Sequence, residues 1–319
     1  MPAIITRGAL SAKGYGFGGA SAVPVGPDGT FAIFALGCTN GVTPLTTRNK
    51  YTYSGCVVST GTAATVASYQ GSAAGNSTVG IFALGGFSNT LFTMLRDKYT
   101  YSGDVVTIGG SATVASGSGS AAGNSTVGIF ALGDTNPGFV VTATRNKYTY
   151  SGCGVSAGTA ATAAEVSGSA TGNSTVGIFA LGGFSSRNKY TYSGDVVSAG
   201  TSSSYSAEGS ATGNATVGIF ALSVVGFCCS CRVLSAARNK YTYSGDTVST
   251  GGAATVASYA GSASGNATVG FFALGRTTCI VATRNKYTYS GCVVTAGTNA
   301  TVTSNYGSAA SNGTIGVNT

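Results

Sequence analysis

The chain has 319 residues, of which 43% are apolar and only 8% charged, with a formal net charge of +8 and no histidine. Without histidine there is no Ser-His triad, no imidazole proton transfer and no His-ligated zinc or copper. Charge this sparse, against roughly 25% in an average soluble protein, implies extensive buried or self-associating surface. The longest strongly apolar runs, such as Val79-Gly80-Ile81-Phe82-Ala83-Leu84, fall well short of the roughly 20 residues a membrane-spanning helix needs. The opening Met1–Arg7 lacks the basic start and sustained apolar stretch of a secretory signal.

In chain order, Ala3–Thr6 is read as an outer strand and Gly18–Ala22 as an inner one, and Thr30–Leu36 begins a run of apolar central strands. From there one block recurs six times. The octet R-x-K-Y-T-Y-S-G starts at Arg48, Arg96, Arg145, Arg187, Arg238 and Arg284, and T-V-G-[IF]-F-A-L or a frayed version follows each some 30 residues on. Successive motif lysines are 42 to 51 residues apart, a period that suits blades of a propeller or turns of a solenoid. A unit of that size must stack on neighbours to bury its apolar surface, so residues 1–319 are read as one domain.

The second unit shows the plan. Ser77–Gly85 is apolar on both alternating faces, as expected of a strand sandwiched between two sheets. Lys98–Tyr101 is a shorter tyrosine strand closing on the Ser102-Gly103-Asp104 turn, and Val105–Thr107 returns as the outer strand. The Gly-Ser-Ala-Ala of the next junction and Gly123-Asn124 make an inner strand and a turn. Each unit is thus a four-stranded antiparallel meander.

That order resembles the kelch-type β-propeller repeat, in which a strand ending in paired glycines precedes a tyrosine-bearing strand and an outer one. Ile81–Gly86 and Ile178–Gly183 match the glycine-doublet strand, and Tyr101 and Tyr192 match the tyrosine strand. The kelch tryptophan is missing, and the doublet is broken at Gly37-Cys38, Gly133-Asp134, Leu222-Ser223 and Gly275-Arg276, which makes the chain a divergent relative. The repeats are also similar to those of proteins of bacteria and their viruses. The expected fold class is therefore all-β: a propeller of four-stranded antiparallel blades. Six tyrosine strands accompany seven copies of each other strand type, counting Gly307–Ala310 and Thr314–Val317, so seven blades are expected, the last assembled from both termini.

Three groups of residues are candidates for function. Twelve of the sixteen basic residues are the pairs Arg48 and Lys50, Arg96 and Lys98, Arg145 and Lys147, Arg187 and Lys189, Arg238 and Lys240, Arg284 and Lys286. Rotational repetition places them in a ring, to be read either as a holder of acidic groups or as stems covering the blade surface. The connections between central and tyrosine strands run from four residues (Gly183–Ser186) to fifteen (Ser223–Ala237). They leave one end of a propeller, and their apolar members Phe87, Leu91, Phe92, Phe139, Val140 and Phe227 either dock a partner or fold back onto their own blade. Cys38 with Cys56, and Cys279 with Cys292, recur within one unit and are disulfide candidates. The pairing of Cys153, Cys228, Cys229 and Cys231 is left open.

The acids Asp104, Asp195 and Asp246 occupy equivalent turns and are read as turn-formers, with metal binding the lesser reading. Asn76, Asn124, Asn173, Asn214, Asn266 and Asn312 each begin N-x-T after a turn, and turn formation outweighs glycosylation. No catalytic pair, metal site or cofactor is expected, nor nucleic-acid binding or membrane insertion. The first functional reading is a non-enzymatic structural or attachment protein on a virion or cell surface, docking other proteins of an assembly or a surface glycan through its loops. The alternatives are a lectin-like propeller with inter-blade pockets of Tyr, Asn and Lys, and an intracellular kelch-like adaptor.

Overall fold

The computed structural model describes residues 29–313 except 89, 90, 137, 205, 229 and 230. Within them the chain has no helix, and its main elements are six four-stranded antiparallel sheets of one design. The second sheet runs, from inside outward, Ser72–Gly75, Val79–Ala83, Arg96–Thr100 and Val105–Ile108. The third to sixth repeat it around the central strands Val127–Ala131, Val176–Ala180, Val217–Ala221 and Val269–Ala273.

Register is constant. The last alanine of every central strand faces the motif arginine, as in Ala35 with Arg48, Ala83 with Arg96 and Ala180 with Arg187. This holds across the four-residue connection of the fourth sheet and the fifteen-residue one of the fifth. A one-residue slip would turn every apolar side chain to the wrong face, so packing fixes the register and loop length does not.

The central strands are buried on both faces, as their unbroken apolar character predicts. Alternate residues serve opposite neighbours: Ile33 and Ala310 pack with Ala73, Phe82 and Tyr99 of the second sheet, while Ile81 and Val79 pack with Ala121, Phe130 and Tyr148 of the third. Such a cluster joins each sheet to the next, and the sixth joins Val269 and Phe271 to Ala32, Phe34, Tyr51 and Ala309 of the first. The inner strands also contact one another in succession, from Ser308–Ser311 round to Ser262–Gly265 and back. They carry only Ser, Ala, Thr and Gly because six strands converging on a common line leave no room for more. Gly80 illustrates the crowding: a Cβ there would lie 2.9 Å from Ala310 Cβ and 2.8 Å from the Tyr101 hydroxyl.

One expectation changes. The first sheet is Ser308–Ser311, Phe31–Ala35, Arg48–Thr52 and Val57–Gly61, so the last inner strand completes the first sheet and does not begin a seventh. Asn312 secures the splice: its Oδ1 accepts from the backbone N–H groups of Thr30 and Phe31 at 2.8 and 3.0 Å, and its Nδ2 donates to Thr30 Oγ1 at 2.9 Å. In the second sheet Asn76 Oδ1 likewise accepts from the backbone N–H groups of Thr78 and Val79, which lie two and three residues further along the chain. The strands read at Ala3–Thr6, Gly18–Ala22 and Thr314–Val317 lie outside the described residues.

Candidate functional site

Strand alternation sorts the R-x-K-Y motif: Arg and Lys point toward the following sheet, and the intervening Asn (or Asp97) and the Tyr toward the preceding one. The six arginines are not a surface ring. Each is at most 1% exposed, with its guanidinium 4.3–4.7 Å over a phenylalanine of the next sheet: Phe82, Phe130, Phe179, Phe220, Phe272 and, for Arg284, Phe34. Nη2 of each reaches the next sheet's side-chain acceptor: Asn146, Asn188, Asn239, Asn285 and Asn49 at 3.1–3.3 Å, and Asp97 from Arg48 at 2.7 Å. Burial pulls Arg96, Arg187, Arg238 and Arg284 down to about 10, still protonated at neutral pH. They are staples between sheets, and the delocalised guanidinium is the cation that tolerates such a place.

The lysines do cover the surface. Lys50 and Lys147, about one-quarter exposed, pair with Asp104 and Asp195 of the next sheet at 3.1 and 3.3 Å, and Lys98 reaches Cys153 Sγ at 3.7 Å. Those turn residues have left-handed backbones, with φ of 54°, 59° and 53°. Asp104 also accepts the Tyr99 hydroxyl at 2.7 Å, and Asp246 that of Tyr241. Among the described residues no three His, Cys, Asp or Glu side chains come together as a metal site. The Asn-x-Thr asparagines are likewise occupied, Asn76 accepting from its own turn and donating to Ser125 O of the next sheet at 2.9 Å.

The disulfide expectation is overturned. Cys38, Cys56, Cys153, Cys279 and Cys292 are free thiols. Cys38 follows the Ala35 end of the first sheet and Cys56 the Thr52 end, so a full strand separates them. Five residues span about 17 Å, far beyond the about 7 Å between Cα atoms that a disulfide allows. Cys279 and Cys292 stand in the same relation about the strand Arg284–Thr288. Cys38 donates instead to Asn305 Oδ1 at 3.2 Å, and burial pushes its thiol up to about 11. The side chains of Cys228, Cys229 and Cys231 lie outside the described residues.

The variable connections all leave the arginine end of the sheets, where four of them form small hairpins: Cys38–Thr39 with Thr43–Pro44, Gly86–Ser88 with Leu91–Phe92, Asp134–Thr135 with Val140–Val141, and Val224–Cys228 with Cys231–Leu234. Phe87, Leu91, Phe139 and Val140 are exposed there. Phe92 is not: it is buried, with its ring against Gly117 and edge-on to Phe139 at 5.3 Å, which joins the second and third loops into one surface. The side chain of Phe227 lies outside the described residues. Met94, Leu95, Val141 and Phe184 are further exposed apolar groups on this end that the sequence reading passed over.

The same end holds a mouth at the centre of the six sheets. Gln70, Ser118, Ser167, Glu208, Ala260 and Tyr306 each precede the glycine that enters an inner strand. Their backbones form a closed circuit: Ser118 N–H donates to Gln70 O, Ser167 to Ser118, Glu208 to Ser167, Ala260 to Glu208, Tyr306 to Ala260 and Gln70 to Tyr306, at 2.7–2.9 Å. With their glycines they line a cavity of about 50 Å³ that opens to solvent. Arg232, from the longest connection, donates to Glu208 Oε1 at 2.8 and 3.2 Å and lies 4.9 Å over Tyr259, while the Tyr306 hydroxyl donates to Glu208 Oε2 at 3.4 Å. The signal for this mouth in the sequence is the variable position directly in front of a constant Gly-Ser-Ala.

Glu165 was also missed. It stands where the other sheets have Ser68, Ser116, Ser206, Ser258 and Ser304. It is buried 3.7 Å from Arg145, and neither carboxylate oxygen has a hydrogen-bond partner. Burial outweighs the arginine and raises its pKa to about 7. No protein-family model matches the chain, and no curated protein matches it in sequence.

Proposed function

We propose that the chain is a six-bladed β-propeller, a divergent relative of the kelch type, acting as a non-enzymatic docking body in a virion or cell-surface assembly. The closed circuit of backbone hydrogen bonds and the arginine staple from sixth sheet to first support the propeller reading. The observation that carries the docking reading is the exposed apolar surface of Phe87, Leu91, Phe139 and Val140 on the loop end. Elsewhere the repeated Arg, Tyr and Asn side chains are spent on neighbouring sheets, so a partner finds local shape only in the loops. The motif acids are likewise held in turns, which favours binding over catalysis.

An intracellular adaptor using the same face is the second reading, favoured by the free thiols of Cys38, Cys56, Cys153 and Cys292. Both readings share one test. Cross-linking of native material from a photoreactive group at position 139 identifies the contacting protein, and its compartment separates virion or surface from cell interior. Affinity of that protein for Phe139→Ser should then fall at least about tenfold. Unchanged affinity removes the loop face from the interaction.

A further inference from the structure

We propose that the central mouth lined by Gln70, Ser118, Ser167, Glu208 and Tyr306 is a binding site for one neutral, hydroxyl-rich ligand, such as a monosaccharide, seated on its open rim. This site uses different residues from the docking loops and stands whether or not those loops hold a protein.

The first support is the choice of side chains. All six mouth positions are left-handed, with φ of 53–56°, where glycine is the unstrained residue. The chain has 51 glycines and places one directly after each of these positions, yet none of the six is itself glycine. Six strained side chains around one opening point to a use for them. Their identities also differ, Gln, Ser, Ser, Glu, Ala and Tyr, while the preceding sheet's arginine, the tyrosines and the following Gly repeat without change. A six-fold frame thereby gains an asymmetric mouth, which a specific small ligand requires and a purely structural ring does not.

The second support is what the mouth offers. The circuit uses a backbone N–H and a carbonyl of every mouth residue, so discrimination falls to the side chains. These supply one amide, two serine hydroxyls, a phenol and a carboxylate, a mixture of donors and acceptors. The only charge among the lining residues, Glu208, is held by two Arg232 N–H groups on Oε1 and by the Tyr306 hydroxyl on Oε2. An anion or a cation would enter without a free counter-charge and lose its hydration. A neutral polyol exchanges water hydrogen bonds for these groups and presents its apolar ring face to the Tyr306 ring. The space inside the mouth is small, about 50 Å³, so the ligand rests on the open rim with part of its surface in water.

The test uses the full chain. Glucose, galactose, mannose and N-acetylglucosamine are titrated by saturation-transfer NMR and calorimetry against the wild type, Gln70→Ala, Tyr306→Ala and Phe139→Ser. Alanine is safe at the two mouth positions because Ala260 already occupies the equivalent place with φ of 54°. Thermal melts check folding of each variant. The expected result is binding of at least one sugar below about 10 mM, weakened about tenfold by Tyr306→Ala and unchanged by Phe139→Ser. No sugar binding in that range overturns the proposal, as does binding undiminished in both mouth variants. Displacement of the sugar by inorganic phosphate or acetate also overturns it, because the mouth would then be an anion site.

Discussion

At the scale of single residues, the informative positions are those where one sheet departs from the other five. Asp97 replaces the asparagine that accepts the arginine staple elsewhere, and it holds Arg48 at 2.7 Å, both side chains buried, and the Thr65 hydroxyl at 2.6 Å. Asp97→Asn restores the arrangement of Asn146 with Thr113, so urea unfolding should shift by no more than about 1 kcal/mol. Asp97→Ala strands a buried guanidinium and should lose about 3–5 kcal/mol. Glu165 makes an opposite demand. Its pKa in the fold, about 7, lies above the ordinary 4.5, so the folded chain holds its proton more tightly than the unfolded one. The resulting stability is complete below about pH 4.5 and drains away as pH rises through 7, by about 3 kcal/mol at most. Urea midpoints between pH 5 and 8 should therefore fall with pH in the wild type and flatten in Glu165→Ser, which installs the residue of the other five sheets. An equal slope in both proteins would show that Arg145 keeps Glu165 ionised.

At the scale of elements, the R-x-K-Y strand is a connector with two working faces. Its arginine lies flat on a phenylalanine while one end of the fork reaches Asn or Asp, a combination that lysine's point charge does not reproduce. Arg187→Lys should lower stability by about 1–3 kcal/mol in denaturant melts, despite the conserved charge. The connections obey a looser constraint. Strand pairing is the same after four residues or fifteen, so replacing 134–144 by the Gly183–Ser186 connection should leave the far-ultraviolet spectrum intact. The swap removes Phe139 from Phe92 and should lower the melting temperature by a few degrees only. A collapse of the spectrum would mean that the loop, and not the core, sets the register of the third sheet.

At the scale of the whole molecule, the joint between Ser308–Ser311 and Phe31–Ala35 is where the proposed propeller would close. It supplies the inner strand of the first sheet, and its Ala309 and Ala310 enter the clusters on both sides of that sheet. A chain ending at Asn305 would lack that strand, bare the edge of Phe31–Ala35 and break the hydrogen-bond circuit at Tyr306. Light scattering after size exclusion should show it aggregated, with the melting transition broadened or lost. A monomeric product with an unchanged transition would place closure elsewhere in the chain.

The repeat and its chemistry determined a great deal without coordinates: the four-strand meander, the doubly buried central strand, the turn role of Asp104 and Asn76, and the end from which the variable loops leave. These are local consequences of periodicity two and turn preference, repeated six times, and each copy checks the others. Sequence alone did not decide what an alternating face meets. Arg48 and Lys50 share one face of a strand two residues apart, yet one is sealed on Phe82 and the other borders solvent, because depth between two sheets is a property of their packing. Nor did spacing show that Cys38 and Cys56 cap opposite ends of the sheet, or that Ser308–Ser311 joins the first sheet. Those outcomes, and the meeting of six separated residues at one mouth, depend on contacts across up to 282 positions of chain, from Thr30 to Asn312. Only tertiary packing brings such distant residues together, since no local preference of the backbone acts over that separation.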